Sequence, residues 1–173
     1  IGLFSYTALP LLFGMIAVAE PLTILVLSKK WLPSVPYMQL ACLVYAAWVI
    51  EIPIRETIKS MGHATVVLKM QIMKTAFALL SLLALMNFGV MAIAVSAVVG
   101  GGFNIAVSVY YGNKYIGYTP LMLWQDVGKT FLLNVVMGLL VFALSFLSLP
   151  NLPLLLLQVL LGIAVYLGFS ILS

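Results

Sequence analysis

Charged residues cut this chain into long apolar stretches. None falls within 1–19, 31–50, 75–113 or 130–173. A membrane-spanning helix takes roughly 20 apolar residues, so each of the two longest runs has room for two spans. The first of these breaks at Asn87 and Gly89, the second at Pro150, Asn151 and Pro153, both with turn-forming chemistry. The pattern predicts six spans, at 3–27, 35–58, 66–86, 90–111, 130–149 and 153–172. Backbone polar groups in hydrocarbon must be satisfied within the segment, so the spans should be helices. A membrane β-barrel would need alternating polar and apolar positions, and runs such as "LPLLLLQVLLGIAVYLGF" have none. The expected fold class is therefore all-α, a polytopic membrane bundle of six transmembrane helices.

Composition agrees. Hydrophobic residues make up 65% of the 173 positions and charged residues 7%, too few charges to cover a water-soluble domain. The chain opens directly on apolar residues without a Met, which is read as a portion of a longer polytopic protein. Its first stretch is too long and too interrupted by proline for a signal-peptide core. Cys42, the single cysteine, has no internal partner for a disulfide.

The net charge of +4 is a matter of placement. Arg55, Lys59, Lys69 and Lys74 lie between the second and third spans, and Lys114 and Lys129 between the fourth and fifth. The opposite side carries only Lys29 and Lys30. Six basic residues against two put the former loops, and Ile1 and Ser173, on the cytoplasmic side. The cations are too dispersed for a phosphate-binding patch, so no nucleic-acid partner is expected.

Few residues could carry chemistry. Glu20 stands beside Pro21, about 29 Å along the first helix at 1.5 Å per residue, near the outer interface. Pro21 cannot donate to the carbonyl of Ala17, which predicts a bend, with "LTILVLS" running along the outer boundary. Glu20 reads either as an interfacial acid or as a gating or ion-coupling carboxylate. Glu51 has Arg55 four residues on, and Lys59 a turn further, on one helical face. Pro53 loosens the helix between them. This is either a neutralised pair at the inner end of the span or a coupling carboxylate or anion contact inside a cavity. Lys69, Gln71 and Lys74 open the third span, where lysines either snorkel to headgroups or touch a lipid phosphate. In the fourth span Ala92, Ser96, Gly100, Asn104, Ser108 and Gly112 recur every fourth residue. They predict close helix packing, with Asn104 hydrogen-bonding across, or else a wall of a polar lumen. The segment 118–129 predicts a short helix lying on the cytoplasmic face and leading into the fifth span.

No His, Cys and carboxylate set has metal-ligand spacing. No nucleophile has a base within helical reach, and His63 beside Gly62 reads as a turn. No metal, no cofactor and no enzyme activity are expected.

The stretch "AVAEPLTILVLSKKWLPSVPYMQLACLVYA" resembles bacterial oligosaccharide flippases of the Wzx type, in the multidrug/oligosaccharidyl-lipid/polysaccharide (MOP) exporter superfamily. The resemblance is carried by Gly14 to Leu22, Lys30–Pro33, Val35–Pro36 and Gln39. The turn within "IKSMGHATVVLKMQIMK" and the Phe88–Gly89 turn add to it, and it extends to about residue 130. It implies helices nine to fourteen of a fourteen-helix fold, the C-terminal portion. Residues 1–128 would be part of the second lobe with a cytoplasmic interfacial segment, and 129–173 the terminal helix pair. It further implies transport of a polyprenyl-pyrophosphate-linked oligosaccharide from the cytoplasmic to the periplasmic leaflet of the bacterial inner membrane. The process would be alternating access, serving lipopolysaccharide or other surface polysaccharide biosynthesis. Membrane lipids, a missing N-terminal lobe and polysaccharide assembly proteins are the implied partners. In that setting Glu51, Arg55, Lys59, Lys74 and Glu20 are the substrate or ion-coupling candidates, with the basic residues near the cytoplasmic mouth. Pro21 and Pro53 are the flexing points. The alternatives are a multidrug or small-molecule antiporter of the same superfamily and, less favoured, a membrane enzyme handling polyprenyl substrates.

Overall fold

The computed structural model describes residues 2–143 together with 153, 157–158, 160–162, 164 and 166. All regular structure among them is helical. Helix α1 spans Gly2–Val26, and a 3-10 segment, Lys29–Ser34, leads into α2, Val35–Ser60. Helix α3 spans Ala64–Leu85, α4 Val90–Ile116, α5 Pro120–Leu123 and α6 Lys129–Ala143. Among the described residues four helices are long and apolar enough to cross a membrane, α1 to α4 in chain order. Most of the sixth predicted span, and the turn at Pro150 and Asn151, lie outside the described residues.

The turns sit where glycine permits them. Helix α2 ends at Gly62, with φ of 86°. Its N–H bonds to the Lys59 carbonyl at 3.1 Å and the N–H of His63 to that of Ile58 at 3.3 Å. These are the two bonds of a Schellman ending, and His63 then opens α3. Gly89, with φ of 91°, makes the turn between α3 and α4. Ser28 adopts φ of 81° and ψ of 164° between α1 and the 3-10 segment, a region that strains any residue with a Cβ.

The segment 118–129 carries the expected short helix, α5, and leads on into the fifth predicted span. Thr119 caps α5 by accepting the Met122 N–H at 3.3 Å. A π-helical turn, Trp124–Gly128, then carries the chain directly into α6. The turn closes because Gly128 has no side chain: a Cβ there would lie 3.0 Å from the Trp124 ring. Val127 is buried against Leu9 of α1 and Ala46 and Val49 of α2, while Leu121, Met122 and Trp124 stay exposed. One face of the segment thus belongs to the bundle.

Helix α1 continues through both its prolines, so "LTILV" extends the helix past Pro21 and the chain turns at Leu27 and Ser28. Pro10 has no N–H for the carbonyl of Tyr6, four residues back. Tyr166 supplies the missing donor, its hydroxyl bonding to the Tyr6 carbonyl at 3.0 Å.

Helix α4 packs against both α2 and α3, and α1 against both α2 and α6. One apolar cluster gathers Ile54, Ile58, Val66, Met70, Val107 and Val109 from α2, α3 and α4. Another joins Ala17 and Val18 of α1 to Met137 and Val141 of α6. Phe77 of α3 stacks on Phe103 of α4, with ring centroids 4.2 Å apart. Leu68, Ile72, Leu79, Leu80 and Leu83 of α3 remain exposed, an outward apolar face of the kind that lipid, rather than water, solvates.

Candidate functional site

The site grows out of a helical hairpin. Glu51 on α2 and Lys74 on α3 are each eleven positions from the Gly62–His63 turn. Antiparallel helices leaving a tight turn put such residues at one depth. Glu51 lies about 14 Å along α2 from Ser60, Lys74 about 15 Å into α3, and Ser108 about 12 Å from the end of α4, at 1.5 Å per residue. Each is thus about two to three helical turns inside the bundle from that end.

There the three side chains meet. The Lys74 Nζ donates to Glu51 Oε1 at 2.7 Å and to Ser108 Oγ at 2.8 Å. The Ser108 hydroxyl in turn lies 3.4 Å from the same Glu51 oxygen. Both charged side chains are only 6% exposed, and Ser108 is fully buried. Two opposite charges taken out of water are held only if paired and hydrogen-bonded. The triangle meets that requirement while tying α3 to α2 and α4 at once.

This corrects two expectations. Glu51 pairs across helices with Lys74, not along α2 with Arg55. The i,i+4 spacing made Arg55 available, but it lies toward the helix end, where the guanidinium reaches outward to Glu56 at 3.3 Å. Lys59 joins the same carboxylate at 3.8 Å. Glu56, not singled out by sequence, is thus the acid of the exposed end. Nor does Lys74 sit at the mouth with the loop cations. It leaves Arg55, Lys59, Lys69, Lys114 and Lys129 as the basic residues of that end, five against two, so the charge asymmetry persists in weakened form.

The small residues of α4 divide by the face they occupy. A four-residue step advances 400° around a 100°-per-residue helix, so the stripe drifts by about 40° each time. Gly112 faces α2, where a Cβ would lie 3.0 Å from Ile54 Cγ2. Ser108 faces Glu51 and Lys74, and Gly100 lies toward Phe77 of α3. Ala92 and Ser96 line an open cleft of about 470 Å3 between α3 and α4, with Phe77, Ser81 and Leu85. Asn104 is half-buried and, among the described residues, forms no interhelical hydrogen bond. The residues that approach α2 most closely are Gly101 and Gly112, the former with its would-be Cβ 3.0 Å from Ala47 Cβ. Steps of seven and eleven (Gly101, Ser108, Gly112) hold one face where steps of four do not.

Glu20 is exposed at the opposite end of the bundle, beside a buried Pro21, and is not brought together with the Glu51 cluster. Nearby, the Gln39 amide of α2 donates to the Ile16 carbonyl of α1 at 3.1 Å. Pro53 is half-buried in α2, its carbonyl accepting the Thr57 hydroxyl at 2.8 Å. The helix ends at the Arg55–Lys59 side are lined with aromatic rings: His63 lies 5.1 Å from Tyr115, and Tyr118 donates to Asp126 at 2.9 Å. Burial pushes the Tyr118 phenol above its usual range, and the Asp126 carboxylate adds to that shift. Among the described residues no group of His, Cys, Asp and Glu could hold a metal ion.

A carboxylate, an ammonium and a hydroxyl, sealed from lipid between three helices, offer a negative site and a positive site that currently satisfy one another. Comparison with protein-family models, with curated proteins and with solved structures finds no match to this chain.

Proposed function

We propose that this chain is part of a membrane transporter that moves a polyprenyl-pyrophosphate-linked oligosaccharide from the cytoplasmic to the periplasmic leaflet. It would act by alternating access, as the C-terminal six helices of a Wzx-type flippase of the MOP superfamily. The observation that carries the reading is the buried Glu51–Lys74–Ser108 cluster inside helices apolar enough to cross a membrane. Ionisable residues are costly in a bilayer, and where they face a bundle interior they mark paths for ions or polar cargo. Arg55 and Lys59, on the turns of α2 leading toward Glu51, supply cations along the approach. The resemblance at Ala19–Leu22, Lys30–Pro33 and Gln39 supplies the substrate class, and the basic loops supply the orientation. An N-terminal lobe, membrane lipids and polysaccharide assembly proteins complete the proposed setting.

Complementation tests it. In a bacterial strain lacking the gene, the intact gene should restore surface polysaccharide and a Lys74→Ala version should not, at equal membrane abundance. Unchanged surface polysaccharide on loss of the gene would refute the flippase reading and favour the small-molecule antiporter.

A further inference from the structure

The balance of charge inside the cluster bears on how cargo and protons are linked. Among the described contacts Glu51 faces Lys74 from α3 and Ser108 from α4, while α1 and the Lys29–Ser34 segment put no titratable group against it. The buried trio is therefore one minus and one plus, with no third charge to compensate a change. Suppose an anionic group enters and takes the Lys74 ammonium. Glu51 is then a second buried anion without a partner, and isolated buried charges neutralise by shifting protonation rather than staying ionised.

The geometry points to an exchange in which Lys74 passes from Glu51 to an anionic group of the transported molecule while Glu51 takes up one proton. The inference rests on the transport reading above and names the coupling at that same site. The balance is simple. The Lys74 amine keeps its three protons throughout and changes only its hydrogen-bond partner. One proton from water forms the O–H bond at Glu51. The cluster then holds a neutral acid, one ammonium and one anionic charge, so its net charge is unchanged. Ser108 suits both states, since a hydroxyl accepts from the ammonium in one and can bond the carboxylic acid in the other. The exchange also frees α3, because the pair is the polar tie between it and α2. Cargo binding and helix movement would thus be one event.

The test is titration calorimetry on the full chain in lipid nanodiscs, with farnesyl diphosphate as the probe. It is run in two buffers of different ionisation enthalpy, well above the second phosphate pKa of about 6. The ligand is then already ionised, so protons taken up belong to the protein. The wild type should take up about one proton per probe bound. A Glu51→Gln variant should take up none and bind about tenfold tighter, since its Lys74 has no carboxylate to leave. A merely structural Glu51 would instead give weaker binding in that variant. Probe binding by the wild type without proton uptake would overturn the exchange and leave the transport reading standing. Absence of binding would overturn both.

Discussion

Where α3 meets α2 and α4, an ammonium, a carboxylate and a hydroxyl share the contact. Where α1 meets α6, the partners are apolar: Ala17 and Val18 against Met137 and Val141, and the Phe13 ring edge-on to Phe131 at 5.6 Å. The polar groups on that side are mostly backbone carbonyls met by single donors, as Tyr166 meets Tyr6. In lipid there is little hydrophobic force between helices, so packing and polar contacts decide association. Among the described residues the α1–α6 contact holds no ion pair. The α3 contact holds one, and α3 otherwise exposes most of its surface. The comparison separates an apolar seam from a polar one, whose ion pair joins α3 to α2.

The largest effect should come from breaking the polar seam. Lys74→Ala leaves Glu51 buried without its partner, and removing one member of a buried pair costs about 3–5 kcal/mol. Thermal unfolding in detergent should show a marked loss, and α3 should become the most protease-sensitive helix. Next is steric. Gly112→Leu must push Ile54 aside, and overpacking costs about 1–3 kcal/mol. Gly102→Leu, where nothing lies within 4 Å, should leave the melting temperature nearly unchanged apart from helix propensity. On the apolar seam, Tyr166→Phe strands the Tyr6 carbonyl that Pro10 released, at about 1 kcal/mol for a lost hydrogen bond. The smallest change should be Gln39→Leu, which removes one interhelical bond to Ile16, a contact worth about 0.6 kcal/mol in membrane proteins. A Gln39→Leu loss as large as that of Lys74→Ala would erase the distinction between the seams.

The helices were legible because their ends are written locally. Uncharged runs mark the first four spans, and Gly62, Gly89 and the Lys29–Ser34 region mark their breaks, to within five residues; much of the fifth and sixth spans lies outside the described residues. The cluster was not legible by the same means. Sequence rules favour partners four residues apart, so Glu51 was matched with Arg55. Lys74 was counted with the loop because the nearest charges were. A signal did exist: Glu51 and Lys74 are equally distant from the Gly62–His63 turn, which puts them level in any antiparallel hairpin. Ser108 required knowing which face of α4 turns inward, and the drift of a four-residue stripe hides that. In the segment 118–129 the short helix leading into the next span is legible from its pattern, whereas the π-helical turn, with Trp124 over Gly128, is not.

The most direct measurement is a charge-reversal cycle at the pair, following thermal stability in detergent with Glu51→Lys, Lys74→Glu and both together. Each single change puts like charges in contact and should lower stability sharply. The double variant restores one plus and one minus at 2.7 Å spacing and should recover most of the loss. Losses that simply add in the double variant would contradict a direct Glu51–Lys74 contact, and with it the polar seam.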